Sequence, residues 1–460
     1  MAVDMSGFKD WARERAVRND ENGNGDTPVI NWDEAPTSSN GAEFVQKAIF
    51  PKDSILDDFF NYGVKQTEGV DAYIIGSILP ATAAMLGRRV WMQMGYRKVY
   101  PNLFAMLAGK AGDRKSSTID LYHALARLSF PEEAFIPMSF SPETLFDEYD
   151  VESGGLPDKL WIVDDANIVL TDWEKNVNGE RVAARFLSLY DCCPLSESYR
   201  RNKKTDDAET RRFIPETSTS IVFGATFNVA CFQGHQVRMG ISRRFLNYVG
   251  DGHGRLIVRP KFARSDHLVS LFKRLHVYNG EIDFNLKAGV LWESYQNDNR
   301  RLNANTDRLR EIELNRLNSA PNHVQKIAII FELCRIAALA RPPTVVAIRE
   351  DTLQLAIDHV DECLKAARFL DAIANRATIT ADAEVLLSKI RTDYRGQPDP
   401  KTILLSRSEL TAKYAHHSAR RGSLSTDDIY LRIMPVLIGQ GLAKLVKKQG
   451  KNEVYAFRRE

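Results

Sequence analysis

Eight consecutive residues, Gly109-Lys110-Ala111-Gly112-Asp113-Arg114-Lys115-Ser116, bring two glycines, a lysine and a hydroxyl to the spacing of a phosphate-binding loop. Such a loop works by wrapping backbone N–H groups around phosphates at the positive end of a helix. Its lysine reaches the β- and γ-phosphates and its hydroxyl ligates Mg²⁺. Gly109 and Gly112 supply the permissive backbone, Lys115 the cation and Ser116 the hydroxyl, so ATP and Mg²⁺ are the expected cofactors. Gly109 to Ser117 is the expected nucleotide-binding segment. Arg114 departs from the pattern: it stands where the last glycine before the lysine is usual, and it puts a side chain at a position normally bare.

Three further groups follow in chain order. Leu160-Trp161-Ile162-Val163-Asp164-Asp165 is an apolar run ending in two carboxylates. Asp164 is placed to hold Mg²⁺ directly or through water, and Asp165 to polarise the water that attacks the γ-phosphate. Asn228 closes the run Ser220–Phe227 and is a candidate to position that water, the alternative being a turn-forming Asn. Gly240-Ile241-Ser242-Arg243-Arg244-Phe245 offers a guanidinium to neutralise transition-state charge at a neighbouring subunit, with Arg244 the first candidate and Arg243 the second. A solvated turn is the other reading of that pair. Lys326 and Arg316 are weaker candidates for a second phosphate sensor. Arg200-Arg201-Asn202-Lys203-Lys204 reads equally as a solvated loop or a DNA-backbone contact. His416-His417 is a poor metal pair, because adjacent histidines do not converge on one ion, and Cys192-Cys193 reads as core packing.

The elements needed to hold these groups are legible as periodicity. Residues 103–109, 160–163 and 220–227 are apolar runs of strand length, and a helix is predicted from Ser116 to Leu128. Strands alternating with helices predict an α/β fold, a parallel sheet covered on both faces. Upstream, Ile55 to Phe60 and Tyr73 to Leu86 predict two or three helices leading to Pro101. From about residue 300 the pattern is long-helical, broken at Pro342-Pro343.

Charge then separates the C-terminal part. Residues 376–460 hold 16 Lys and Arg against 9 Asp and Glu, whereas 1–375 hold 46 against 51. The formal net charge of +2 over 460 residues hides a basic module patterned as helix, turn, helix and closing hairpin, the sequence of a winged helix-turn-helix. The expected organisation is therefore a polar N-terminal tail (1–48), a helical segment (49–100), an ATPase core (101–262), a helical lid (263–376) and a winged helix (377–460). No run approaches the length of a membrane span and no apolar leader opens the chain. Five cysteines without a C-x-x-C pair fit a reducing compartment, and the cytoplasm is the expected location.

Phosphate loop, acidic strand end, polar strand end and SRRF arginines occur in the order seen in AAA+ ATPases. Tyr100-Pro101-Asn102-Leu103 leading into LAGKAGDRKSS, with the upstream LPATAAMLGRRV, the SPETLFDEY segment and SRRF, resembles a family of P-loop helicases encoded by phages, plasmids and mobile elements. SRRF and the basic C-terminal module are also similar to the minichromosome-maintenance type of replicative helicase. The resemblance covers about residues 50 to 370. It implies a homo-oligomeric ring, most simply a hexamer, that moves on single-stranded DNA with an arginine acting in trans. It also implies duplex or forked DNA at the winged helix and a separate primase or initiator as partner. Asp165 replaces the more usual Glu, and the shorter acid implies slow or DNA-stimulated hydrolysis. The expected function is an ATP-dependent DNA helicase or translocase. The rivals are an ATP-regulated initiator or loader without unwinding, and a module that binds nucleotide structurally. A small-molecule kinase would leave the helical region and basic module without a role.

Overall fold

The computed structural model describes residues 44–458 apart from 138–141, 151–154, 171–176, 200–209, 231–239, 251–253, 258–264, 305–310, 340–345, 394–401, 416–425, 427, 435–436, 438–442 and 450–451. The expected tail up to residue 43, the basic run 200–204, Pro342-Pro343 and His416-His417 lie outside the described residues.

Helices α1 (Ile55–Gln66) and α2 (Asp71–Leu86) open the described chain. Every residue of α2 from Ala72 to Leu86 is buried, the mark of a helix with neighbours on all sides. After a 3-10 turn (Gly87–Arg89), residues 90–99 are not helical, as predicted before Pro101, but a hairpin of β1 (Val90–Met94) and β2 (Arg97–Val99). Val90 and Met92 point inward while Gln93 is exposed, a period of two. Gly95 supplies the positive φ of +61° at the turn.

The central α/β unit follows: β3 (Phe104–Gly109), α3 (Lys115–Arg127), α4 (Pro142–Tyr149), β4 (Asp158–Val163) and α5 (Val177–Tyr190). A second hairpin of β5 (Leu195–Tyr199) and β6 (Thr210–Ile214) precedes β7 (Ser218–Thr226) and β8 (Phe245–Gly250). Strands β3, β4, β7 and β8 form one sheet in the order β4-β7-β3-β8, with all three pairings parallel. The three predicted strands are present within one or two residues at most ends. The fourth, FLNYVG, escapes periodicity because it follows two arginines directly and is buried at every position. Both faces of β3 are buried, as a parallel sheet requires. Trp161 of β4 stacks on Phe186 of α5 at 4.7 Å, and Phe104 of β3 meets Tyr190 edge-on at 5.0 Å.

The outer edge of β8 is closed by residues that the sequence assigned to the tail. Val45 bridges Gly250, and Gln46 donates to the Asn247 carbonyl at 3.1 Å and accepts from the Val249 N–H at 2.7 Å. Pairing an exposed edge in this way removes a site for aggregation.

Beyond the sheet lie α6 (Asp266–Leu275), two-residue strands β9 (Gly280–Glu281) and β10 (Asp283–Phe284), α7 (Leu286–Ala304) and α8 (Glu311–Ala338). After β11 (Ala347–Ile348), α9 runs unbroken from Glu350 to Asp393. The boundary expected at residue 376 therefore falls inside one helix. The end of α9 joins β12 (Thr402–Ser406), α10 (Arg407–Tyr414), a π-helical turn (Asp428–Ile433), β13 (Ala443–Gln449) and β14 (Asn452–Arg458). These strands pair antiparallel in the order β12-β14-β13 over a separate core that includes Leu386, Ile390, Leu405, Leu410, Ile433 and Phe457. A capping box starts α10, the Ser406 hydroxyl accepting from the Glu409 N–H while the Glu409 carboxylate accepts from the Ser406 N–H. Among the described residues no helix is long and apolar enough to cross a membrane.

Two buried histidines fasten the helical region to the sheet. His323 of α8 donates from Nε2 to the Arg243 carbonyl at 2.9 Å and accepts at Nδ1 from the Tyr190 hydroxyl at 3.0 Å. His359 of α9 donates from Nδ1 to the Ile49 carbonyl at 2.7 Å and accepts at Nε2 from the Tyr248 hydroxyl at 2.9 Å. Each neutral ring has one donor and one acceptor, both satisfied, and burial pushes both pKa values down to about 4. The unfolded chain takes up these protons near pH 6.5, so protonation favours unfolding as the pH falls from 6.5 towards 4. A loss of about 2 kcal/mol per histidine is expected by pH 5. Thermal unfolding followed from pH 7 to 5 checks this, and His359→Gln should flatten the slope.

Candidate functional site

The phosphate-loop candidate leaves the central strand β3 and enters α3. Gly109 ends the strand where the Tyr73 hydroxyl donates to the carbonyls of Ala108 at 2.9 Å and Gly250 at 3.2 Å. A Cβ on Gly109 would collide with that hydroxyl, so the glycine is required by close approach. Gly112 turns the loop at φ +91°.

Arg114 then adopts φ +60° and ψ +21°, the left-handed region that glycine occupies freely. The concern that its side chain would crowd the loop is resolved by its direction. The guanidinium pairs with Glu68 at 2.9 Å, in the connection between α1 and α2. Arg114→Gly removes a strain of about 1 kcal/mol and a half-exposed ion pair worth 0–1 kcal/mol. Its expected unfolding midpoint lies within a few degrees of the native one, with nucleotide affinity retained; calorimetry and nucleotide titration measure the two.

Lys115 is the first residue of α3, and its ammonium is curled onto the loop's own carbonyls, Gly109 at 3.1 Å and Lys110 at 2.6 Å. Asp113, buried beneath the loop, accepts from the Lys110 N–H at 2.6 Å and acts as a staple. Burial lowers the Lys115 pKa, while the charges of Asp113 and Asp165 act in the opposite direction. Ser116 and Ser117 lie exposed in the first helical turn.

The two acids follow β4, both exposed. Their turn is tied to the neighbouring strand, the Ala166 N–H donating to the Gly224 carbonyl at 2.7 Å. Gly224 permits this approach, since a Cβ there would strike the Asp164 carbonyl. Asp165 accepts at Oδ1 from the Asn167 N–H at 3.1 Å, and the Thr226 hydroxyl reaches Asn167 at 3.4 Å. Thr226 is in register with Gly109. With β7 interposed, the acidic and phosphate-loop strands are two spacings apart, about 10 Å. Asn228 lies in the helical turn Phe227–Ala230 directly after β7, at the same end of the sheet; its side chain lies outside the described residues.

The structure thus brings Lys115, Ser116, Asp164, Asp165 and the backbone of Asn228 to the C-terminal end of one parallel sheet, and keeps the arginines away. Phe245 is in register with Phe104 and Gly250 with Gly109, so Arg243 and Arg244 sit at the opposite end, about 16 Å along the strand. Neither can serve the loop of its own chain. Arg244 is a correction to the picture of a projecting cation: it pairs with Asp191 at 2.7 Å, donates to the Gly240 carbonyl at 3.0 Å, and is 11% exposed. Arg243 is half-buried.

Lys326 and Arg316 are corrected more firmly. Lys326 is buried at the strand N-termini, donating to the Asn102 carbonyl at 3.0 Å, the Asn102 side chain at 2.6 Å and the Tyr190 carbonyl at 3.0 Å. Burial lowers its pKa to about 8. Arg316 is buried against Asp371. Both hold helices together and neither approaches the loop. Cys192 is buried as expected, with its thiol pushed up to about 11 by burial, whereas Cys193 is exposed. Tyr73 and Glu68 were not among the expected site residues, and Asp113, expected within the binding segment, holds the loop as a staple, a role its place inside the glycine run does not reveal.

A hydroxyl and two carboxylates are hard oxygen donors that fit Mg²⁺ when phosphate oxygens complete the shell. Among the described residues no group of three or more His, Cys, Asp or Glu could hold a metal unaided. No family model matches the chain and no curated protein matches it.

Proposed function

We propose that this chain is an ATPase of AAA+ type that assembles as a ring, most simply a hexamer, and couples ATP hydrolysis to movement along DNA. The observation that carries the reading is the placement of Lys115 and of the paired acids Asp164 and Asp165 at the same end of one parallel sheet, on strands separated by β7. Lys115 leaves the Gly109 and Lys110 carbonyls for the β- and γ-phosphates, and the exposed N–H groups of the loop cradle them. Ser116 and Asp164 would hold Mg²⁺, which would supply neutralisation of charge on the phosphate oxygens. Asp165 uses one oxygen to fix its own turn and offers the other to the attacking water. Asn228 orients that water from the interposed strand.

The placement of Arg243 and Arg244 at the far end of the sheet favours action at a neighbouring subunit. Since Arg244 is engaged with Asp191, Arg243 is the better-placed finger. Helices α6 to α9 take the lid role. The C-terminal arrangement of helix, strand, helix and hairpin, with its own core and net positive charge, supports a winged helix that grips duplex or forked DNA through phosphates. The β5–β6 hairpin, whose connection carries the Arg200–Lys204 run, is the candidate for gripping a single strand in the ring's pore. Replication of a mobile element, beside a separate primase or initiator, is the setting this implies.

ATP turnover stimulated by single-stranded DNA, together with displacement of an oligonucleotide from a fork, tests the proposal. Turnover without displacement at either polarity would leave the ATP-regulated initiator or loader in its place. No turnover at all would remove the motor.

A further inference from the structure

We propose that the β1–β2 hairpin is a second contact for single-stranded nucleic acid, with Tyr96 as a stacking platform and Arg97 and Lys98 meeting the backbone; this deepens the DNA-motor reading above and rests on it. Residues 72–112 contain five Lys and Arg and not one Asp or Glu, a charge bias absent from the near-neutral chain as a whole. The hairpin concentrates it. Tyr96 stands at the tip and is 93% exposed, turned outward by Gly95 in the left-handed region. Arg97 and Lys98 follow it, both exposed, and among the described residues neither has a carboxylate partner. The Lys98 ammonium lies 4.0 Å from the Trp91 ring, which holds that cation beside the strand. One exposed aromatic residue is ordinary. A ring at a turn tip followed by two exposed cations without a carboxylate partner among the described residues is the combination by which single strands are held without sequence preference, by stacking and backbone charge.

The hairpin is also rigidly rooted. Arg88, just before β1, donates to the Cys192 carbonyl at 3.1 Å and the Thr217 carbonyl at 3.2 Å. It also donates to the Tyr100 hydroxyl at 3.1 Å and stacks over that ring at 4.3 Å, just after β2. Its backbone N–H donates to Asp158 at 2.9 Å. One guanidinium therefore fastens both ends of the first hairpin to the residues that flank the second, β5–β6, on which Phe213 is 64% exposed. Both hairpins rise from the N-terminal ends of the sheet strands, away from Lys115, so a polymer held there does not compete with nucleotide. Fixing the platform in advance reduces the ordering cost of binding.

The test is binding of a fluorescent oligo-dT to the full chain without nucleotide, followed by anisotropy across a salt series. Tyr96→Ala is expected to weaken binding about 10-fold, while Tyr96→Phe, which keeps the ring, binds as the native chain does. Arg97→Gln with Lys98→Gln is expected to reduce the salt slope by about 1.4, near 0.7 per cation lost. Unfolding midpoints of these variants matching the native value separate lost contact from lost fold. Affinity indifferent to all three changes overturns the proposal, as does equal weakening by Phe and Ala, or a loss seen only with duplex of the same length. A chain that binds oligo-dT through this hairpin but hydrolyses no ATP would sink the motor and leave the contact standing.

Discussion

Replacing Lys115 with alanine is expected to cut ATP turnover about 10³-fold or more, with little loss of stability. On the proposed reading this ammonium grips the triphosphate, and it sits where burial strengthens its field. It makes two hydrogen bonds to carbonyls of the same loop, and water replaces these when the side chain is cut. The Asp113 staple to the Lys110 N–H does not involve it, so the loop keeps its shape. Phosphate release and titration with a fluorescent nucleotide measure the two effects. Normal hydrolysis by the variant would show that triphosphate is not gripped here.

Asp165→Asn is expected to lower turnover about 10²–10³-fold while ATP binding is kept or tightened. The amide preserves the contact from the Asn167 N–H, so the turn stays folded, but it cannot take a proton or polarise water. Removing this negative charge also lowers the repulsion felt by an incoming triphosphate at this end of the sheet. Asp164→Asn should behave differently: its main effect is expected as a higher Mg²⁺ requirement. Turnover measured over a magnesium series for both variants separates water activation from ion holding. Equal magnesium shifts in the two would mean that the roles assigned to these neighbours are not distinct.

Much of the candidate site is legible in the chain alone. The loop, its lysine and hydroxyl, and the paired acids are local: each is a short run whose composition follows from one strand meeting one turn. Even Arg114, which breaks the usual pattern, is a backbone matter, since a left-handed residue is needed there whatever its side chain. The strands β3, β4 and β7 were readable because burial on both faces forces continuous apolar runs. The β1–β2 hairpin was not, because its inward residues Val90 and Met92 lie only a 3-10 turn beyond an apolar helix and share its texture.

What the sequence determined, then, is the chemistry available at each position: a glycine-rich loop with a lysine and a hydroxyl, an acidic strand end, a basic C-terminal module. Which residues share a site was decided only by the tertiary structure. Parallel pairing sends Lys115, Asp164 and Asp165 to one end of the sheet and Arg243 and Arg244 to the other. Burial turned Lys326 and Arg316 from candidate phosphate sensors into fasteners, because a charged side chain withdrawn from water must be matched by nearby partners, and those partners come from segments far apart in the chain.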